Sequence, residues 1–328
     1  MAGLPRGLPK AELHLHLEGS INAETLCELS PGLGAAEVLR RYTYSDFAGF
    51  LDAFKWAVGH LKSPDHYALV ARRLLERLER ENVIYAEITL SAGVILLRQQ
   101  QFAPIYDAVT REAARSRVEV YWVIDAIRHL GVEAAWPVVR LAAEHAADRV
   151  VAFGIGGDEI RGPAEQFAEV FHFARRHGLR LTPHAGETDG AESVWAAVRL
   201  GADRIGHGFR AADDPALLRH LSDNRIALEI CLSSNVATGA VSGFAAHPVR
   251  RIYDAGVPVV LNTDDPAMFH TTLDNEFKLA AIHHGFSEAE LRSIAENAFR
   301  YAFRRPAGWL SERDADSRQV DGGSALVG

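Results

Sequence analysis

Glu12-Leu13-His14-Leu15-His16-Leu17-Glu18-Gly19 alternates leucine with an ionisable residue at every second position. In a β-strand, residues two apart share a face, so His14 and His16 stand together on one side and the leucines on the other. A lone buried histidine is most often a hydrogen-bonded core residue. Two on one face near a strand end point instead to a metal. Seven further β-type runs follow: Val83 to Leu90, Val118 to Ile124, Val150 to Ile155, Arg180 to His184, Arg204 to His207, Ala227 to Cys231 and Val257 to Asn262. Several are almost continuously apolar, as expected of parallel strands covered on both faces. Amphipathic segments lie between them, such as Tyr67 to Arg80, Ala164 to His177 and Pro215 to Asn224. Asp214 before Pro215 reads as an N-cap with proline in the first turn, Ser287 with Glu290 as a capping box, and Gly178 as a helix stop.

Eight alternating strand and helix units predict an α/β chain folded as a (β/α)8 TIM-type barrel. The long gap from Gly19 to Asn82 predicts extra helices inserted after the first strand. Within it, Tyr42 to Leu61 carries Tyr42, Tyr44, Phe47, Phe50, Phe54 and Trp56, which suit a cap over the barrel mouth or ordinary helix packing. No Pro/Gly/Ser linker divides residues 1–328, so one domain is expected, with residues 317–328 a polar, frayed tail.

With 48% hydrophobic residues the chain can build a large core. Lys and Arg total 35 against 43 Asp and Glu, a formal charge of -8, which argues against nucleic acid or an anionic membrane as partner. Two cysteines, Cys27 and Cys231, make a disulfide framework implausible and fit a reducing cytoplasm. No signal-peptide or membrane-spanning run is visible.

Barrel enzymes carry their reacting groups at the C-terminal ends of the strands. The unusual polar residues fall there repeatedly. The fifth run ends Thr182-Pro183-His184-Ala185-Gly186-Glu187, the sixth Gly206-His207-Gly208, and the eighth Asn262-Thr263-Asp264-Asp265-Pro266. Adjacent acids beside a proline also make plain turns or N-caps. Beside three candidate imidazole ligands, Asp264 reads better as a fourth. Three imidazoles and a carboxylate, with a position left for water, form the inventory of a mononuclear catalytic zinc site; ligand types alone leave iron or manganese open. Such a metal activates water near neutral pH. Glu187, three residues beyond a ligand, is then free to carry a proton to a ring nitrogen. His207 can hold or deprotonate the attacking water, and Asp265 can hydrogen-bond a heterocycle. This much implies metal-assisted hydrolysis and no particular substrate.

Glu12 to Ser20, His184-Ala185-Gly186-Glu187, Gly206-His207-Gly208, Cys231-Leu232-Ser233-Ser234-Asn235-Val236 and Asn262 to Pro266 resemble, in order, segments of the adenosine deaminase family. The likeness runs from Pro9 to about Phe303. It implies one zinc ion per chain, bound by His14, His16, His184 and Asp264. It implies Glu187, His207 and Asp265 as catalytic residues: Glu187 protonates purine N1 as hydroxide adds at C6, His207 positions that hydroxide, and Asp265 meets N7. His16, Glu18 and Asp265 are implied to contact substrate, with the Gly157 N–H at N3.

Two departures fall on the sugar side. Glu18 stands where these deaminases usually carry Asp, so its carboxylate is expected deeper in the sugar site; Thr89 stands where arginine is more frequent. They direct the reading to a 6-aminopurine nucleoside with an altered 5′ side. Adenosine and 6-amino-6-deoxyfutalosine, a nucleoside of menaquinone biosynthesis bearing a benzoate there, are the two candidates. Adenine and N6-modified AMP are alternatives; the nucleotide would need a phosphate clamp, and no Lys/Arg cluster is evident. A binuclear amidohydrolase would need a bridging lysine. The four lysines, Lys10, Lys55, Lys62 and Lys278, do not end the fourth strand. A non-catalytic nucleoside-binding protein on this fold would be expected to lack a ligand or Glu187, and neither is missing.

Overall fold

The computed structural model describes residues 7–305, so the expected tail over 317–328 lies outside the described residues. Among the described residues there are nine parallel strands: β1 Lys10–His16, β2 Val83–Leu90, β3 Glu119–Ile127, β4 Val150–Gly156, β5 Arg180–Leu181, β6 His184–Ala185, β7 Arg204–His207, β8 Ala227–Ile230 and β9 Val259–Leu261. They form two sheets, ordered β1-β2-β3-β4-β5 and β6-β7-β8-β9. The single fifth strand expected from Arg180 to His184 is therefore corrected to two short pieces. Pro183 lies between them and has no N–H to give a ladder. As a result β5 pairs with β4 and β6 pairs with β7.

Backbone bonds run across the gap, from Thr182 N to Phe153 O at 3.2 Å and from Gly206 N to Pro183 O at 3.0 Å. At the far edges, His16 N donates to Asp264 O (2.8 Å) and Asp264 N to His14 O (3.1 Å). Residues of β1 and of the segment after β9 are thus bonded to each other.

The gap after β1 holds helices Ala23–Leu29, Ala35–Arg41, Phe47–Val58 and Pro64–Arg80. The local signals act where the sequence has them. Asp214 accepts from Ala216 N and Leu217 N, and Ser287 and Glu290 form the reciprocal capping box. Along β1 the period of two separates chemistry from packing: Leu13 and Leu15 join apolar clusters, whereas Glu12, His14 and His16 are buried polar groups of the opposite face. Among the described residues no helix is long and apolar enough to cross a membrane.

Candidate active site

The ligand-type side chains converge from three strand ends. His14 and His16 come from β1, His184 opens β6, and Asp264 follows β9. One donor atom from each lies within 4.8 Å of all the others, and all four residues are buried. His16 Nε2 is 3.2 Å from His184 Nε2, and Asp264 Oδ1 is 3.3 Å from both His14 Nε2 and His16 Nε2. Bonds of about 2.0–2.1 Å to a tetrahedral zinc hold neighbouring donors about 3.3–3.4 Å apart, so the spacing fits such an ion. His14 Nδ1 meets Glu229 Oε2 at 2.8 Å, while His14 Nε2 has no hydrogen-bond partner. A carboxylate behind a histidine whose other nitrogen is free is the usual support of a metal ligand. Burial opposes charge on His14, but Asp264 and Glu229 outweigh it and hold the ring up at about 10. Burial pushes His16 down to about 4 and His184 well below the ordinary value.

Backbone conformation aims these groups. Asp264 has φ 61° and His207 φ 57°, left-handed conformations that cost non-glycine residues about 1–3 kcal/mol each and gather at functional sites. His207 Nε2 lies 3.6 Å from Glu187 Oε2 and 3.8 Å from Asp264 Oδ2. Burial, then Asp264, raises both the Glu187 and Asp265 carboxyls well above the usual range. Asp265 Oδ1 has no partner, and a Cβ on Gly19 would fall 1.7 Å from it, so only glycine fits there.

Glu187 is carried on a turn shaped by a residue that sequence reasoning left without a role. The carboxylate of Glu159 accepts from Gly186 N, Glu187 N and Thr188 N, each at 2.8 Å, and from Ser193 Oγ. Arg128 Nη1 donates to His184 O at 2.7 Å, holding the start of the same turn.

A cavity of about 270 Å³ opens onto the cluster. His16, Gly157, His184, Glu187, His207, Asp264 and Asp265 line its inner end. Phe47, Phe50 and Phe54 of helix Phe47–Val58 form an outer wall with Val94 and Leu97, and Lys55, Arg98 and His129 add polar edges. The aromatic segment singled out in the sequence divides accordingly. Three phenylalanines face the cavity, while Tyr42 and Tyr44 anchor the segment by donating to Ile21 O and Met268 O, each at 2.8 Å.

Glu18 is not among the lining residues. Fully buried, it accepts from Ser91 N at 3.1 Å, and burial raises its carboxyl to about 8. Ser91 and Asp125 line the cavity, and neither was singled out in the sequence. Asp125 and Glu229 did leave a signal, each being one carboxylate inside an otherwise apolar inner run of β3 or β8.

A family model described as adenosine deaminase matches residues 9–308. The chain belongs to the adenosine deaminase family. It is 39% identical to the aminodeoxyfutalosine deaminase of Streptomyces avermitilis over 318 residues, covering 92% of this chain and 88% of that one. It is 36% identical to the adenine deaminase of Sinorhizobium medicae over 305 residues, covering 90% and 94%. The crystal structure of adenine deaminase from Arthrobacter aurescens superposes with a TM-score of 0.85 at 27% identity, covering 95% of this chain and 99% of that one. With the buried His14, His16, His184 and Asp264 set, membership of the adenosine deaminase family makes the chain a metal-dependent aminohydrolase acting on purines.

Proposed function

We propose that this adenosine deaminase family member is one (β/α)8 barrel, closed along both seams between its sheets, that hydrolyses the 6-amino group of a purine nucleoside. Aminodeoxyfutalosine is its substrate. The observation that carries the substrate is the outer cavity. Phe47, Phe50, Phe54, Val94 and Leu97 offer an aromatic and aliphatic wall beyond the inner polar end, with Lys55 and Arg98 beside it. Free adenine needs neither the length nor the cations. An aromatic carboxylate on the 5′ side of a nucleoside uses both. Because Lys55 and Arg98 both line the cavity, N6-methyl-AMP belongs among the tests.

His14, His16, His184 and Asp264 hold a zinc ion, which supplies Lewis-acid activation of water at neutral pH. Protonated Glu187 delivers its proton to purine N1 and leaves C6 electrophilic. Protonated Asp265 donates to N7, which fits its unpartnered buried oxygen. The Gly157 N–H meets N3. Gly157 has φ 97°, and a Cβ added to it would fall 2.8 Å from His129 Nδ1, so only glycine fits there. Glu18 supports the sugar side from below, through Ser91 N.

Ammonia release from adenosine, 2′-deoxyadenosine, aminodeoxyfutalosine, adenine and N6-methyl-AMP tests the reading. The expected order has aminodeoxyfutalosine first in kcat/KM. A preference for adenine overturns the nucleoside assignment.

A further inference from the structure

Three buried residues behind His207 form a chain whose polarity can be read from one end. Helix Val249–Asp254 begins at Val249, whose backbone N–H has no acceptor within its own helix. It donates instead to His247 Nδ1 at 3.1 Å. A backbone N–H can only donate, so Nδ1 of His247 carries no proton and the ring's hydrogen is on Nε2. Nε2 of His247 meets the Asn235 side chain at 3.1 Å and must find an acceptor there, which fixes Oδ1 on that side. The amide NH2 of Asn235 then faces His207 Nδ1 at 3.2 Å. Reversing the amide would set an NH2 against an N–H at His247, so the whole chain has one consistent direction. Asn235 and His207 are fully buried and His247 is 3% exposed, so each side chain relies on these protein partners rather than on bulk solvent. Burial also holds His247 neutral, at about 3.

The geometry points to Asn235 and His247 as positioning residues that lock His207 in its neutral form with the hydrogen on Nε2, so that His207 is a hydrogen-bond donor in the active site and not its general base. His207 Nδ1 faces a donor and cannot be protonated without breaking the chain. Nε2, which has no protein hydrogen-bond partner, already carries its hydrogen and faces the space between Glu187 and Asp264. Of the two roles that residue type alone allows His207, holding the attacking water or deprotonating it, only the first survives. The proton from that water goes to the Glu187 carboxylate once its own proton has passed to the ring. The catalytic consequence rests on His207 serving the reacting centre as proposed above; the tautomer does not.

The test is a long-range proton–nitrogen correlation spectrum of the metal-loaded full chain with ring-labelled histidine, the His207 signals being identified by their loss in His207→Asn. The expected spectrum has a protonated Nε2 and an unprotonated Nδ1 for His207 across neutral pH. A protonated Nδ1 in the wild-type protein overturns the proposal. Asn235→Asp supplies the perturbation, since a carboxylate accepts from both rings and draws the His207 hydrogen to Nδ1. In that variant the metal stays bound, KM moves by less than about threefold and kcat falls by about 10²–10⁴-fold, the scale of a mis-set catalytic histidine. Asn235→Asp with Nε2 still protonated refutes the positioning role. Protonated Nδ1 with kcat undiminished refutes the donor role. The spectrum needs no substrate, so an error in the substrate assignment would show in the activity panel alone.

Discussion

Glu159 is the residue on which the position of Glu187 depends most, and its replacement is a demanding trial of the geometry. Its carboxylate is 1% exposed and accepts five hydrogen bonds, three of them from the consecutive amides of Gly186, Glu187 and Thr188 at 2.8 Å and two from the hydroxyls of Thr188 and Ser193. Bonds to a charged acceptor contribute about 1.5–3 kcal/mol each, and a buried donor left alone costs about 1–3 kcal/mol. Glu159→Ala strands three amides and opens a cavity, a loss of about 5 kcal/mol or more against a total stability of about 5–15 kcal/mol. That variant risks not folding, so the informative change is Glu159→Gln. Its remaining oxygen still serves Glu187 N and Thr188 N, but its NH2 now faces Gly186 N and Ser193 Oγ. The net loss is one charge-assisted bond to a backbone amide plus a donor–donor contact, about 2–4 kcal/mol.

The damage falls on the turn and spares the ligands. Gly186 sits at φ 66° within that turn, while His184 is held independently by pairing with Gly206 and by Arg128. A displacement of about 1 Å at Glu187 is worth about 10²-fold in turnover. Glu159→Gln is therefore expected to lower the urea unfolding free energy by about 2–4 kcal/mol and kcat by about 10²-fold, with metal content unchanged. An unfolding free energy within about 0.5 kcal/mol of wild type, together with kcat within about threefold, would refute the cradle.

Three other outcomes follow from single contacts. Glu187→Gln keeps the metal and loses about 10³–10⁴-fold in kcat; activity close to wild type would remove Glu187 from proton transfer. Because burial and Asp264 raise its carboxyl, wild-type kcat falls as pH rises through that raised value, and the residual rate of Glu187→Gln lacks this alkaline limb. Gly206→Ala sets a Cβ 2.8 Å from His14 Cε1, so competition with a chelator should show metal bound at least about tenfold more weakly; unchanged affinity would mean that His14 is not confined as described. Arg204→Met leaves Glu87 and Glu229 buried without the guanidinium that meets each at 2.5 Å, and the denaturation midpoint should fall by the equivalent of about 3–5 kcal/mol.

How far the sequence could be read depended on whether a residue's neighbours were local. The metal set was legible because strand alternation alone puts His14 beside His16, and because each other ligand ends a strand-like run. The helix caps at Asp214 and Ser287 were legible for the same reason, their partners lying within three residues. Glu18 shows the limit. Its identity and its extra methylene suggested a deeper reach into the sugar site, but which backbone amide waits there, that of Ser91 some 73 residues on, is a property of the fold. The broken fifth strand needed Pro183 to be weighed as a missing ladder donor. The buried carboxylates of β2, β3 and β8 were a readable warning, since a charge inside an apolar run must find a partner or lose its charge. Glu87 and Glu229 share Arg204, and Glu229 also meets His14, so those two carboxylates belong to the support of the metal ligand. Asp125 takes the other course: burial raises it to about 7, its Oδ1 has no partner, and it faces the cavity. Residues of one type in one pattern thus divide between holding the site and lining it, according to the cations that the chain brings within reach.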